Sequence, residues 1–391
     1  MSVLVLITGI VLFIGLIIVH ELGHFLVARR NGVVAEEFGI FFPPRLYRRI
    51  TKKGWVFSIN ALPLGGFVKM KGEHDSDVEL GSFGAASVWS KTKIMAAGVF
   101  MNLVVGVLLL VLLSVIGLPQ IIPNQYDAGK SGTVTHQEVL VNYVEPNSPA
   151  ARIGLKNEDQ IIAVGPVKHL SPISSISDLQ KITEQYAGRQ VMVTYKNNGT
   201  SYTKLTTLQS KAVVLASLKT NNPKGYLGIA LTPLTIKRYS LLKAPIEAVG
   251  LTIQIIKLTM IGLGHALSGL GRLIAGLVTG NTVARQHGQA IATSQVAGPV
   301  AIFVILKDGS VLGYQYMLFI IAVISLTLAI MNFLPIPALD GGRLWLMLAS
   351  RAVSGGLPMS VALEESINAF GMLLLITLMV LVTIVDIHHF L

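Results

Sequence analysis

Residues 3–30 read VLVLITGIVLFIGLIIVHELGHFLVARR. From Val3 to Val19 no side chain ionises; His20-Glu21-Leu22-Gly23-His24 then interrupts, and apolar residues resume up to Arg29-Arg30. A membrane-crossing helix needs roughly 20 apolar residues. Ionisable groups inside one are costly and usually functional. On a helix, His20 and His24 lie one turn apart on one face, so both imidazoles can bind one metal ion. Glu21 projects beside them, placed to act as general base toward water at that metal. The competing reading, an ordinary solvated helix, would leave three unpaired polar groups in lipid at a cost of several kcal/mol. Counting from Val3, His20 lies about 26 Å along the helix and Arg29 about 13 Å beyond, which puts the metal in the membrane nearer the cytoplasmic face. A cleaved signal peptide is disfavoured, because nothing basic precedes a long apolar run.

The rest of the composition agrees. Of 391 residues, 52% are apolar and 13% charged, with a mean hydropathy of +0.65. Soluble chains carry about a quarter charged residues. The 38 glycines follow no triplet period, which excludes collagen, and the apolar content excludes disorder. A net charge of +11 fits basic residues flanking membrane spans rather than nucleic acid. The absence of cysteine removes disulfides, thiolate metal sites and Cys nucleophiles.

Three further runs are long and uncharged: 94–118, 311–334 and 367–385. With the first, about 3–28, they predict four transmembrane helices. The connection from Arg29 to Lys93 holds eleven Lys and Arg against six acidic residues. The positive-inside rule makes it cytoplasmic and puts both termini and residues 119–310 outside. Residues 244–280 are also apolar. Yet Glu247, Gln254, Lys257, His265, Ser268 and Arg272 share an arc of roughly 80° on a helical wheel. That stripe suits an amphipathic segment on the outer side.

Two histidines leave a catalytic zinc one protein ligand short, and a carboxylate or a histidine is the usual third. The third span runs inward and ends at Asn332-Phe333-Leu334-Pro335-Ile336-Pro337-Ala338-Leu339-Asp340-Gly341-Gly342. Its two prolines stop the helix, and Asp340 emerges on the side of His24. Were 244–280 a span, Asp340 would emerge on the opposite face.

HELGH in the first span and NFLPIPALDGG after the third resemble the site-2 protease family of intramembrane zinc metalloproteases, and most closely its bacterial regulator-of-sigma-E branch. The resemblance implies one zinc per chain held by His20, His24 and Asp340, with Glu21 as catalytic base. It also implies a bacterial cell-membrane location and, as partners, single-pass membrane proteins such as anti-sigma factors or signal-peptide remnants, cut after a first extracytoplasmic cleavage. Asn332 matches an asparagine thought to bind the substrate backbone. Residues 55–70 (Trp55 to Met70) read as strand, turn, strand, broken at Pro63 and Gly65-Gly66. The family carries a membrane-associated β-structure there whose edge meets substrate, which places Gly65 and Gly66 at the substrate. An unwound substrate strand would regain on that edge the hydrogen bonds lost with its helix.

Between Pro119 and Lys243 the chain is soluble in character. Val139–Val144, Gln190–Tyr195 and Thr200–Leu205 read as strands, and Ser177–Tyr186 as a helix. Glu145–Gly165 (EPNSPAARIGLKNEDQIIAVG) resembles a PDZ domain, with Asp159 as its acidic residue and Asn157-Glu158 departing from the usual pair. Gly225-Tyr226-Leu227-Gly228-Ile229 resembles the loop that receives a peptide C-terminus, so Tyr226, Leu227, Gly228 and Ile229 are its candidate residues. Gln295–Ile302 (QVAGPVAI) resembles a Gly-Pro element of the family.

The fold expected is thus a polytopic α-helical membrane protein of four spans. A first membrane half (1–118) and a second (311–391) flank one PDZ-like α/β domain (132–234) and the amphipathic segment 244–280. A peptide-binding scaffold is the rival from another class; it predicts negligible zinc. A metal transporter lacks further spans with ionisable groups.

Overall fold

The computed structural model describes residues 2–130, 132–157, 159–197, 199–218, 223–293, 298–355 and 357–390. They form two compact units: residues up to Leu113 with those from Leu242 onward, and Ser114–Leu241.

In the first unit, α1 (Ser2–Arg30) runs through the HELGH motif and ends on Arg29 and Arg30, basic side chains that complement the carbonyl end of the helix. Strands β1 (Ala35–Ile50) and β2 (Val56–Met70) follow. The two halves of β2 do not pair with each other as the strand, turn, strand pattern suggested. Gly39 pairs with both Phe67 and Ser58, and Phe38 with both Val68 and Phe57. The apolar run of β1 thus lies between the halves of β2. Its later part pairs outward, Arg45 with Asn60 and Ile50 with Val56. Gly66–Met70 is consequently an edge. The inner run is buried because Phe38 packs with Phe25 and Ala35 against α1. Helix α2 (Val88–Ile116) starts where the Ser87 hydroxyl accepts from the Ser90 amide at 3.2 Å, satisfying one of the free N–H groups of the first turn.

The second unit is an antiparallel sheet. Its strands are β3 (Leu118–Pro119), β4 (Thr133–Val144), β5 (Gln160–Gly165), β6 (Ser171–Pro172), β7 (Gln190–Asn197), β8 (Thr200–Thr207) and β9 (Ile229–Arg238). They are ordered β3-β9-β4-β5-β7-β8, with β6 paired to β5. Val139 and Val141, and Val191 and Val193, alternate into one core with Ile161 and Leu179, the two-residue period of a strand with one buried face. Helices α3 (Pro149–Arg152), α4 (Ile176–Gln185) and α5 (Lys211–Ser217) complete it, each opened by a capping serine: Ser148, Ser175 and Ser210. Asp159, 1% exposed, accepts from the Lys156 amide at 2.9 Å and from Asn197 Nδ2 at 2.5 Å. Glu158 lies outside the described residues.

The first unit resumes with α6 (Ala244–Thr279), α7 (Thr282–Thr293), α8 (Pro299–Leu312), α9 (Tyr314–Phe333), α10 (Asp340–Val353) and α11 (Val361–Phe390). Of the Gly-Pro run, Gln295, Val296 and Ala297 lie outside the described residues, and Gly298 and Pro299 open α8. Five described helices are long and apolar enough to cross a membrane: α1, α2, α6, α9 and α11. The chain is a multi-pass membrane protein. Length and composition thus group α6, expected to lie on the surface, with the other four. Helix α6 is continuous through its glycines, and α7 folds back on it where a Cβ at Gly288 would lie 2.7 Å from the Gly269 carbonyl oxygen.

Helices α1 and α9 run parallel. A Cβ at Gly9, near the start of α1, would lie 2.3 Å from Sδ of Met317, near the start of α9, and further along, His20 and His24 of α1 meet Asp340, seven residues past the end of α9. Val5, Leu16, Leu306, Met317 and Ile321 form the apolar core between α1, α8 and α9.

Candidate metal centre

His20 and His24 project from one face of α1 with their rings edge to face, centroids 4.9 Å apart. Their Nε2 atoms are 3.3 Å apart. One oxygen of Asp340, Oδ2, lies 2.9 Å from His20 Nε2 and 3.1 Å from His24 Nε2. Ligands held at about 2.0–2.1 Å in a tetrahedron stand about 3.3 Å apart, so these spacings suit three donors to one zinc with a fourth position open. His24 Nδ1 lies 2.7 Å from the carbonyl oxygen of Ile94. A carbonyl can only accept, so Nδ1 carries the proton; when the ring is neutral it then presents a bare Nε2, the form that binds metal. Space for the donors comes from α2: a Cβ at Gly98 would lie 2.3 Å from His24 Nε2 and 2.6 Å from His20 Nε2.

Asp340 reaches the histidines through a tight turn. Helix α9 stops at Phe333, and neither Pro335 nor Pro337 can continue it. Ala338 takes φ +73°, and α10 begins at Asp340 itself. The turn folds so closely onto α10 that a Cβ at Gly341 would lie 2.4 Å from the Leu334 oxygen, and one at Gly342 2.0 Å from that of Ile336. Only glycine fits at either place.

Glu21, His24 and Asp340 line a cavity of about 350 Å³ whose wall includes the whole edge Gly66–Met70. Gly66 is what lets the edge come in: a Cβ there would lie 2.7 Å from Glu21 Cγ.

The sequence pattern that defines peptidase family M50 matches residues 8–378. The chain belongs to peptidase family M50. It is 31% identical over 383 residues to a Clostridium perfringens protein named "Putative zinc metalloprotease", covering 98% of each chain. A protein of the same description from Clostridium acetobutylicum is 30% identical over 389 residues, covering 100% of this chain and 99% of the other. The regulator of sigma-E protease of Escherichia coli is 28% identical over 456 aligned positions, covering 93% of this chain and 94% of that one. This M50 chain is accordingly a metalloprotease of the site-2 protease type.

In this M50 peptidase the remaining candidates are spread out. Asn332 sits in the last turn of α9, half-buried, with no hydrogen-bond partner among the described residues, and does not line the cavity. Gly65 faces the Phe42 ring rather than the cavity. Tyr226, Leu227, Gly228 and Ile229 belong to the other unit. There the carbonyl oxygens of Tyr226, Leu227 and Gly228 accept from the amides of Gln209, Ala150 and Glu145 at 2.8, 3.0 and 2.9 Å. Two residues that serve the M50 centre escaped the sequence reading, Gly98 and Asn102 on α2. Both sit in a run that looked uniformly apolar. The available signal was the amide of Asn102 one turn from a glycine, a polar group in a span being worth a partner search.

Proposed function

We propose that this M50 chain is an intramembrane zinc endopeptidase that cuts single-pass membrane proteins within or close to the bilayer. One observation carries the reading: two histidines within an apolar helix and Asp340 bring three donor atoms together, beside a carboxylate and an open sheet edge lining one cavity. The relatives' names support zinc, and His20, His24 and Asp340 would hold one ion per chain. When bound, zinc supplies a Lewis acid for the scissile carbonyl and lowers the pKa of water. Glu21 takes the proton of the attacking water and returns it to the leaving amine. The edge Gly66–Met70 accepts the unwound substrate as an added strand, replacing the helical hydrogen bonds that cannot be left open in lipid. Asn332, unpartnered near the start of the Asp340 turn, is a donor for the same extended backbone.

Four crossings, by α1, α2, α9 and α11, are favoured over five. Because α1 and α9 run parallel, the chain between α2 and α9 must begin and end on one side of the membrane. A crossing by α6 would need a second to undo it, and α8, with 14 residues, is too short for a bilayer that takes about 20. The basic connection then makes the metal side cytoplasmic, and both termini and the inserted domain extracytoplasmic. That domain is read as PDZ-like. The Gly228 amide of its Tyr226–Gly228 loop donates to the Gly225 carbonyl at 3.1 Å, so the amides of Tyr226 and Leu227 are the ones read as receiving a peptide C-terminus, and the domain would admit substrates already trimmed outside. Anti-sigma factors and signal-peptide remnants are the substrate classes favoured.

The test uses purified full-length protein, with zinc, and a transmembrane substrate. Glu21→Gln should retain zinc and lose at least about 100-fold in cleavage rate, the lower end of a general base's contribution. Undiminished cleavage by that variant would refute the proposal.

A further inference from the structure

Asn102 is 1% exposed and sits where three helices meet. Its side-chain Nδ2 lies 3.3 Å from His20 Nδ1 on α1, and its carbonyl oxygen accepts from Ser325 Oγ on α9 at 2.7 Å. Its Oδ1 is buried with no hydrogen-bond partner among the described residues. A buried acceptor left unpaired costs about 1–3 kcal/mol, so a group that keeps one is expected to use it in some state of the protein.

The two histidines differ at this point. His24 has a carbonyl on its Nδ1, which fixes its tautomer. His20 has only Asn102 there among the described residues. An amide's oxygen and nitrogen have nearly the same shape and exchange places by a half-turn. With Nδ2 toward the ring, Asn102 donates to His20 Nδ1, and the ring proton sits on Nε2. With Oδ1 toward the ring, Asn102 accepts from Nδ1–H, and Nε2 offers the lone pair that a metal needs. Among side chains of this size, only an amide serves both tautomers.

We propose that Asn102 is the positioning residue of the metal centre, its Oδ1 accepting from His20 Nδ1–H and so turning the Nε2 lone pair of His20 toward zinc. It does for His20 what the Ile94 carbonyl does for His24. Partners of this kind are worth 10- to 100-fold in metal affinity. The bland alternative is that Asn102 merely glues α2 to its neighbours. The Ser325 hydrogen bond to the same residue provides the control, since its loss would loosen the helices without touching His20.

The proposal rests on the zinc site described above, and chelator-competition titration of the full-length protein separates the two. If the parent protein binds no zinc, both fail. If it binds zinc, Asn102→Leu should weaken binding at least tenfold, whereas Ser325→Ala and the acceptor-only Asn102→Asp should each change it by less. Less than tenfold loss in Asn102→Leu, or equal loss in Ser325→Ala, overturns this inference and leaves the metal site standing. Should Asn102→Leu not give monodisperse protein, Asn102→Asp decides: retained affinity supports the role, and a tenfold loss ends it.

Discussion

Replacing Gly98 by alanine tests the centre with one methyl group. The added Cβ would lie 2.3 Å from His24 Nε2 and 2.6 Å from His20 Nε2, and real Cβ atoms do not approach heavy atoms closer than about 3.0 Å. The His24 ring must therefore retreat by about 0.7 Å (from 2.3 to 3.0 Å), while a metal site tolerates about 0.2 Å. Retreat is opposed on the far side of the ring, because Nδ1 is bonded to Ile94 at 2.7 Å and His24 is 6% exposed. Overpacking of this kind costs about 1–3 kcal/mol. Borne by the loaded state alone, that weakens zinc binding by about 5- to 150-fold. Gly106→Ala is the matched control. Its Cβ would lie 2.7 Å from Leu326, two turns along α2, so it should lower thermal stability and leave zinc affinity alone. Zinc affinity and cleavage at the parent level in Gly98→Ala would refute the geometry of the site.

Asp340→Asn should weaken zinc binding at least tenfold in the same titration, since it removes the anionic donor shared by both histidines; unchanged zinc content would remove Asp340 from the ligand set. Gly66→Ala should keep zinc but cut kcat several-fold, because its Cβ displaces Glu21; activity at the parent level would mean that the edge does not touch the base. Asp75 joins the fully buried Lys91 to Arg351, and its loss strands those charges, so Asp75→Asn should cost about 3–5 kcal/mol by thermal or denaturant melts. Burial raises the Asp75 carboxyl, but Arg351 and Lys91 outweigh it and hold it below its ordinary value of 3.8. The carboxylate's contribution is therefore complete above that value and fades as pH falls through its lower folded value. The stability gap between parent and Asp75→Asn should close only in strong acid, and a gap that closes near neutrality would contradict the assignment.

The candidate metal centre, the meeting of His20, His24 and Asp340, was legible in the sequence because its chemistry is conspicuous. Ionisable groups in a lipid-facing run are expensive, and His20, Glu21 and His24 had no bland account. Asp340 was reachable by counting crossings, since a carboxylate released by two prolines on the correct side leaves few rivals. The groups that support the ligands were not legible. Gly98 matters only because α2 approaches α1 at that point, and closeness between helices far apart in sequence leaves no local trace. Asn102 carries no charge and breaks no periodicity. The β-structure was misread in its pairing for a similar reason. Residues 55–70 hold a turn signal at Pro63 and Gly65-Gly66, which marks where the chain bends. That β1 lies between the two halves depends on Phe38 and Ala35 burying against Phe25, a contact made across the chain. Helix α6 shows the limit of hydropathy: its polar stripe and its length point to different places, and only the parallel run of α1 and α9 favours one.

That parallel run also explains how one centre can be built from ligands 320 and 316 residues apart. Two helices that cross in the same direction bring their ends to one depth, whatever the chain does between them, provided it returns to the side it left. The contacts that set the depth lie within the helices: Gly9 of α1 against Met317 of α9, and Gly106 of α2 against Leu326 further along α9. The inserted sheet, from Ser114 to Leu241, is therefore free to vary in size without moving Asp340 relative to His24. The stretch from α9 into α10 has no such freedom. Its glycines admit no Cβ and its prolines fix where the helix ends, so a residue added or removed between Phe333 and Asp340 shifts the carboxylate directly. Tolerance of insertion should thus be high between Ser114 and Leu241 and absent between Phe333 and Gly342, which is the distribution expected when a buried metal rather than a loop sets the geometry.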